Sequence, residues 1–135
     1  MPFGRDKDKW GKQYVCTYSG WFRNRTHYGQ RFLQELGFKL TYLAENGAEA
    51  LEQVDKISSL ELIVVDWNMP LMNGIEFVRA TRQKGLTEVK ILMMTTENSM
   101  ERIVQALASG VDEYIMKPFS KEALQDKLNI LGVAL

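Results

Sequence analysis

Apolar and polar positions follow two regimes along this chain. From Leu33 onward, short continuous apolar runs alternate with stretches of helical spacing. Lys39–Ala44 predicts a short strand. Asn46-Gly47 then opens a helix with Ala50, Leu51, Val54 and Ile57 on one face. Leu60–Val65, apolar except for Glu61, runs up to Asp66, as expected of a strand buried on both faces. Met69-Pro70 and Asn73-Gly74 punctuate a loop, and Ile75, Phe77, Val78 and Thr81 mark the next helix. Val89–Met94 predicts another buried strand, closing on Thr95-Thr96. Asn98 and Glu101 have the spacing of an N-cap and its capping-box partner. The helix they open carries Ile103, Val104 and Leu107 and stops at Ser109-Gly110. Asp112–Met116 predicts a last strand, followed by Lys117-Pro118. Ser120 caps a final helix that buries Ala123, Leu124, Leu128 and Leu131.

Strands alternating with helices of this length predict βαβ units: an α/β fold with a parallel sheet covered on both faces. In such sheets the chemistry collects at the carboxyl ends of the strands. Asp66, Thr95 and Lys117 each follow a separate apolar strand directly. The three are therefore expected to converge on one crevice.

Composition changes the picture only at the start of the chain. Residues 1–32 contain no Ala, Leu, Ile or Glu, yet hold eight aromatics and seven Lys/Arg against two Asp. Tyr14–Tyr18 can form a first strand by propensity, but it is far less apolar than a central parallel strand should be. The helix after it has to include Gly29, with Tyr28, Phe32, Leu33 and Leu36 as its apolar stripe. A basic aromatic arm suggests a nucleic-acid surface. Against that, Lys+Arg and Asp+Glu are both 17, so the whole chain has no net charge, and no nucleic-acid partner is expected. A lone cysteine, Cys16, excludes an internal disulfide framework and fits a cytoplasmic setting. No apolar run is long enough to cross a bilayer, and no membrane partner is expected.

The run Ile63-Val64-Val65-Asp66-Trp67-Asn68-Met69-Pro70-Leu71-Met72-Asn73-Gly74 resembles the phosphoacceptor loop of response-regulator receiver domains, in particular the CheY-like type. Thr95 and the run Tyr114-Ile115-Met116-Lys117-Pro118-Phe119 match the other two signatures of that family. Glu35-Leu36-Gly37-Phe38 and Glu45-Asn46-Gly47-Ala48-Glu49-Ala50-Leu51 match its approach to the second helix. The resemblance covers residues 33–135. It implies a flavodoxin-like (βα)5 doubly wound sheet with strand order 2-1-3-4-5, a receiver domain over 13–135 with 13–32 atypical, and an irregular extension over 1–12.

The resemblance also implies a chemistry. Asp66 would attack a phosphoryl group and become an aspartyl phosphate. Lys117 would place its ammonium on the phosphoryl oxygens, and Thr95 would donate its hydroxyl to another. Mg²⁺ would be held by Asp66 and the main-chain carbonyl of Asn68. The Lys117-Pro118 peptide is a cis candidate that would aim the lysine. On phosphorylation Thr95 would move and Tyr114 would rotate inward. This would reshape the face made by the fourth helix, fifth strand and fifth helix. The implied partners are a histidine kinase and a downstream output protein, the flagellar switch or another; the chain is not an enzyme, and no output domain is expected in it.

One part of the family pattern is missing. Receivers carry two adjacent acids at the end of the first strand. Counting back from Glu35 lands on Gly20 and Trp21, and no Asp or Glu occurs between Asp8 and Glu35. Mg²⁺ binding is therefore expected to be weak or absent, and a pseudo-receiver that binds partners without being switched is the alternative. Three origins are open for the anomaly. The chain is a receiver that has lost its acids, or its N-terminus has been altered, or residues 12–31 are read out of frame. In the last case the codons of Tyr14–Arg25, shifted one base, permit a buried strand ending in aspartate where Gly20 now stands.

Overall fold

The computed structural model describes residues 13–17, 28–37, 40–44, 46–57, 60–68, 72–96 and 99–133. Within them, β1 (Gln13–Thr17), β2 (Leu40–Ala44), β3 (Leu62–Asp66), β4 (Lys90–Thr95) and β5 (Glu113–Met116) form one parallel sheet ordered β2-β1-β3-β4-β5. Helices α1 (Tyr28–Glu35), α2 (Gly47–Lys56), α3 (Gly74–Gln83), α4 (Met100–Ser109) and α5 (Lys121–Leu131) alternate with the strands. This is the doubly wound α/β layout.

The continuous apolar runs are explained by two-sided burial. Ile63, Val65, Ile91 and Met93 point into a core shared with α2, α3 and Ala106 of α4. Their neighbours Leu62, Val64, Leu92 and Met94 point the other way, into a core with Leu33 of α1 and with Leu124, Leu128 and Leu131 of α5. Every residue of β3 is buried, so period-2 alternation has no polar side to show. In α1, Leu33 is buried and Phe32 and Leu36 pack against the same core, as expected of that stripe; the side chain of Tyr28, its fourth member, lies outside what is described.

The helices start where their side chains can cap them. Asn46 Oδ1 accepts from Glu49 N at 2.8 Å. Asn73 and Glu76 form a full capping box, at 2.9 and 3.0 Å. Ser120 accepts from Ala123 N.

Two expectations for α4 are corrected. Its cap is Ser99, whose hydroxyl accepts from Arg102 N at 3.2 Å, and not Asn98, which lies outside the described residues. Val104 and Leu107 are not inner positions: they are 55% and 45% exposed. The helix buries the small residues Ala106 and Ser109 instead, which lets it sit close over the sheet. Strand ends also differ by a residue or two. Leu60 precedes β3, Thr95 belongs to β4, and Asp112 stands before β5, where its side chain ties two loops together.

Candidate functional site

β3, β4 and β5 are neighbours, so their carboxyl ends bring Asp66, Thr95 and the residue after β5, Lys117, to one edge of the sheet. Asp66 is fully buried, and Lys117 Nζ lies 2.9 Å from its Oδ2. The other carboxylate oxygen, Oδ1, accepts from the backbone N–H of Asn68 at 3.1 Å. Thr95 is buried, and its carbonyl accepts from Lys117 N at 2.8 Å, which fixes where the lysine leaves the strand. The Lys117-Pro118 peptide bond is cis.

Burial pushes the Asp66 carboxyl above its ordinary value, and the Lys117 ammonium and Asn68 N–H pull against that rise. A buried carboxylate beside an ammonium can serve as a nucleophile toward a group that brings further negative charge for that cation to balance.

The loop behind the carboxylate is shaped by Gly74. Its N–H donates to Trp67 O at 2.8 Å. A Cβ on it would lie 2.7 Å from the carbonyl oxygen of Asp66 and 3.0 Å from Trp67 Cα. Only glycine permits this approach of α3 to the end of β3. The sequence reading took Asn73-Gly74 as turn punctuation and missed this role. It also missed Arg102, whose guanidinium lies over the Trp67 ring at 5.4 Å and ties the first turn of α4 to the residue after Asp66. No local signal pairs residues so far apart in sequence.

Tyr114 is half-buried on β5. Lys127 of α5 places its ammonium 4.7 Å from the Tyr114 ring centre and 3.3 Å from Glu113 Oε1. The ring therefore sits in the seam between β5 and α5.

The metal expectation can be tested on the donors. Gly20 and Trp21 lie outside the described residues, as do Met69, Pro70 and Leu71 of the loop. Neither Gly20 nor Trp21 carries a side-chain oxygen. Among the described residues, no group of three His, Cys, Asp or Glu side chains could hold an ion. One carboxylate and the Asn68 carbonyl do not fit a tight magnesium site, which calls for a near-octahedral shell of hard oxygens. Among the described residues, no helix is long and apolar enough to cross a membrane.

Comparison with known proteins agrees with the geometry. The family model for the response regulator receiver domain matches residues 25–129. Chemotaxis protein CheY1 of Helicobacter pylori is 38% identical over 100 residues, spanning 73% of this chain and 81% of that protein. A CheY homolog of Campylobacter jejuni is 39% identical over 102 residues, 74% of this chain and 78% of the relative. The solved structure of chemotaxis response regulator CheY4 of Vibrio cholerae superposes with a TM-score of 0.77 at 33% identity, covering 89% of this chain and 98% of that one. The receiver domain of a Pseudomonas aeruginosa sensor histidine kinase, solved with magnesium in its active-site cleft, has a TM-score of 0.77 at 21% identity, over 89% and 96%. With its parallel sheet, its buried aspartate–lysine pair and these relatives, the chain belongs to the response-regulator receiver family, a family of two-component signalling modules.

Proposed function

We propose that the chain is a phosphorelay receiver whose phosphoacceptor is Asp66. The observation that carries this reading is the buried pair of Asp66 and Lys117, 2.9 Å apart at the carboxyl edge of the sheet. In the proposed step, an Asp66 carboxylate oxygen forms a bond to phosphorus. The bond from phosphorus to the donor nitrogen of a kinase phosphohistidine breaks, and its electron pair leaves with the imidazole. Lys117 then turns from the carboxylate to a phosphoryl oxygen, and the Asn68 N–H and the Thr95 hydroxyl donate to the others.

The signal is proposed to leave through the face of α4, β5 and α5. Met100, Val104 and Leu107 recur along α4 at helical spacing and are exposed, an apolar strip of the sort that partner proteins cover. Tyr114 belongs to the same proposed face, on β5 against Lys127 of α5. In this reading Thr95 moves toward the new phosphoryl group and Tyr114 follows it inward, changing what an output protein such as the flagellar switch meets. The proposed domain runs over 13–135, and the proposed setting is the cytoplasm, where its kinase and output partners act.

The absence of acids at positions 20 and 21 supports a second reading, an interaction module that phosphorylation does not switch. Labelling with radioactive acetyl phosphate separates the two. The receiver reading expects label on the unmodified chain and none on Asp66→Asn, because the amide is not a nucleophile here. Label persisting on Asp66→Asn would place the acceptor elsewhere. No label on the unmodified chain, at millimolar magnesium, would favour the second reading.

A further inference from the structure

β1 is the central strand of the sheet, hydrogen-bonded to β2 on one side and β3 on the other. A strand so placed is expected to be an unbroken apolar run. β3 reads LIVVD and β4 reads KILMMT, but β1 reads QYVCT. Similarity to the family begins at residue 25, after β1. The stretch without Ala, Leu or Ile ends at Leu33, which is fully buried in the core shared with α5. The position in the fold thus calls for a sequence that the chain does not supply, over a stretch with sharp limits.

The genetic code supplies it. Moving the frame one base forward, the codons of Tyr14–Gly20 permit Thr-Phe-Val-Leu-Ile-Val-Asp, an apolar strand ending in an acid. Trp21 has a single codon, TGG, and with the T that begins Phe22 it must become glycine. Phe22–Gln30 permit Ser-Gly-Thr-Val-Arg-Ile-Met-Val-Lys, which replaces Gly29, inside α1, by valine and continues the apolar stripe into Phe32 and Leu33. From Tyr14 to Gln30 no choice of codons creates a stop in the shifted frame, so the second frame is open throughout.

We infer that residues 14–30 are encoded by a receiver strand and helix read one base out of register, and that the displaced frame carries an aspartate at position 20. That acid would follow β1 in the chain, on the strand next to β3 in the sheet, and would supply a carboxylate to the crevice of Asp66 and Lys117. Its metal readout rests on the receiver reading above; its codon readout does not.

The gene's nucleotide sequence over codons 12–32 is the first test. Of the four glycine codons, only GGA at Gly20 gives aspartate in the shifted frame, and the particular run Phe-Val-Leu-Ile-Val before it requires GTT, TGT, ACT, TAT and AGT for Val15 to Ser19. Any other codon at Gly20 overturns the inference. The second test compares three full-length chains: the protein as it stands, Gly20→Asp, and a chain with residues 14–30 replaced by the displaced-frame peptide. The replaced chain is expected to melt about 5 °C higher or more, because its central strand is apolar. In calorimetric titration with magnesium chloride, it and Gly20→Asp are expected to bind about tenfold tighter than the present chain, since ligand charge sets affinity for hard cations. A replaced chain that melts no higher refutes the frame assignment. Unchanged magnesium affinity in both variants refutes the placement of the acid at the crevice.

Discussion

Two ion pairs sit at opposite ends of the same sheet, and they are built differently. At the amino end, Arg82 of α3 meets Asp112 at 2.8 Å. Its guanidinium also donates to the carbonyls of Leu86, Val89 and Gly110, and Asp112 accepts from Ile91 N as well. The pair joins the end of α3 to the loops that enter β4 and β5. At the carboxyl end, Asp66 and Lys117 are nearer to fully buried, with side chains 0% and 4% exposed. Here burial outweighs the lysine, and the carboxyl is raised above its ordinary value. The Arg82 pair is wired into the backbone on every side and holds loops in place. The Asp66 pair keeps a buried carboxylate that favours the fold less than a neutral group would, a cost in keeping with the phosphoacceptor role proposed for it.

The largest effect is expected at the amino end. Arg82→Ala removes several charged hydrogen bonds at once and leaves three carbonyls and a carboxylate without that donor. It should lower the unfolding free energy by about 3–4 kcal/mol in a urea melt. Acetyl phosphate labelling per folded molecule should not change, since the two pairs share no residue. At the carboxyl end, Lys117→Met leaves a buried carboxylate without its cation and should cost about 3 kcal/mol. Combining it with Asp66→Asn should recover most of that loss, because both charges are gone, while labelling stays at zero. A matching double replacement of Arg82 and Asp112 should recover little. If both doubles recover equally, the contrast between the pairs is wrong.

The sign of the Asp66 shift gives a subtler test. An acid whose folded value lies above its ordinary 3.8 favours the fold while it is protonated. That contribution is complete below the ordinary value and is lost as pH rises through the folded value. Asp66→Asn cannot titrate there. The stability of the chain relative to Asp66→Asn should therefore fall as pH is raised above the ordinary value of 3.8. A difference that grows with pH would mean that Lys117 outweighs burial.

The same contrast explains what could be read from the sequence. Asp66, Thr95 and Lys117 were legible because each ends or follows an apolar strand, and a parallel sheet gathers such ends along one edge. β3 and β4 were legible because two-sided burial leaves no polar side. The Arg82 network was not, since its partners are backbone carbonyls, which no side-chain pattern encodes. Neither was the contact of Arg102 with Trp67, which joins residues far apart in the sequence. In α4, apolar periodicity pointed to Val104 and Leu107. The helix turned its small residues inward instead, because close packing on a sheet can favour Ala and Ser over larger side chains. β1 was faint because its residues do not suit the centre of a sheet.

The smallest effect concerns the start of that same helix, which follows the carboxyl end of β4. Asn98 and Ser99 are both good capping residues, and sequence spacing favoured Asn98 because Glu101 follows at the capping-box distance. In the structure Ser99 has extended backbone angles, φ −74° and ψ 145°, and its hydroxyl accepts from Arg102 N. That bond satisfies one of the amides that the first turn leaves unpaired. It also holds Arg102, the residue that lies over Trp67. Ser99→Ala should therefore cost about 1 kcal/mol in a urea melt, and Asn98→Ala much less. Ser99→Ala should also change Trp67 fluorescence, read in a chain whose Trp10 and Trp21 are replaced by Phe, because the cation over the indole loses its anchor. Equal losses from the two alanines would return the cap to Asn98. A full loss at Ser99 with unchanged Trp67 emission would mean that Arg102 is held by its own contact with the ring and owes nothing to the cap.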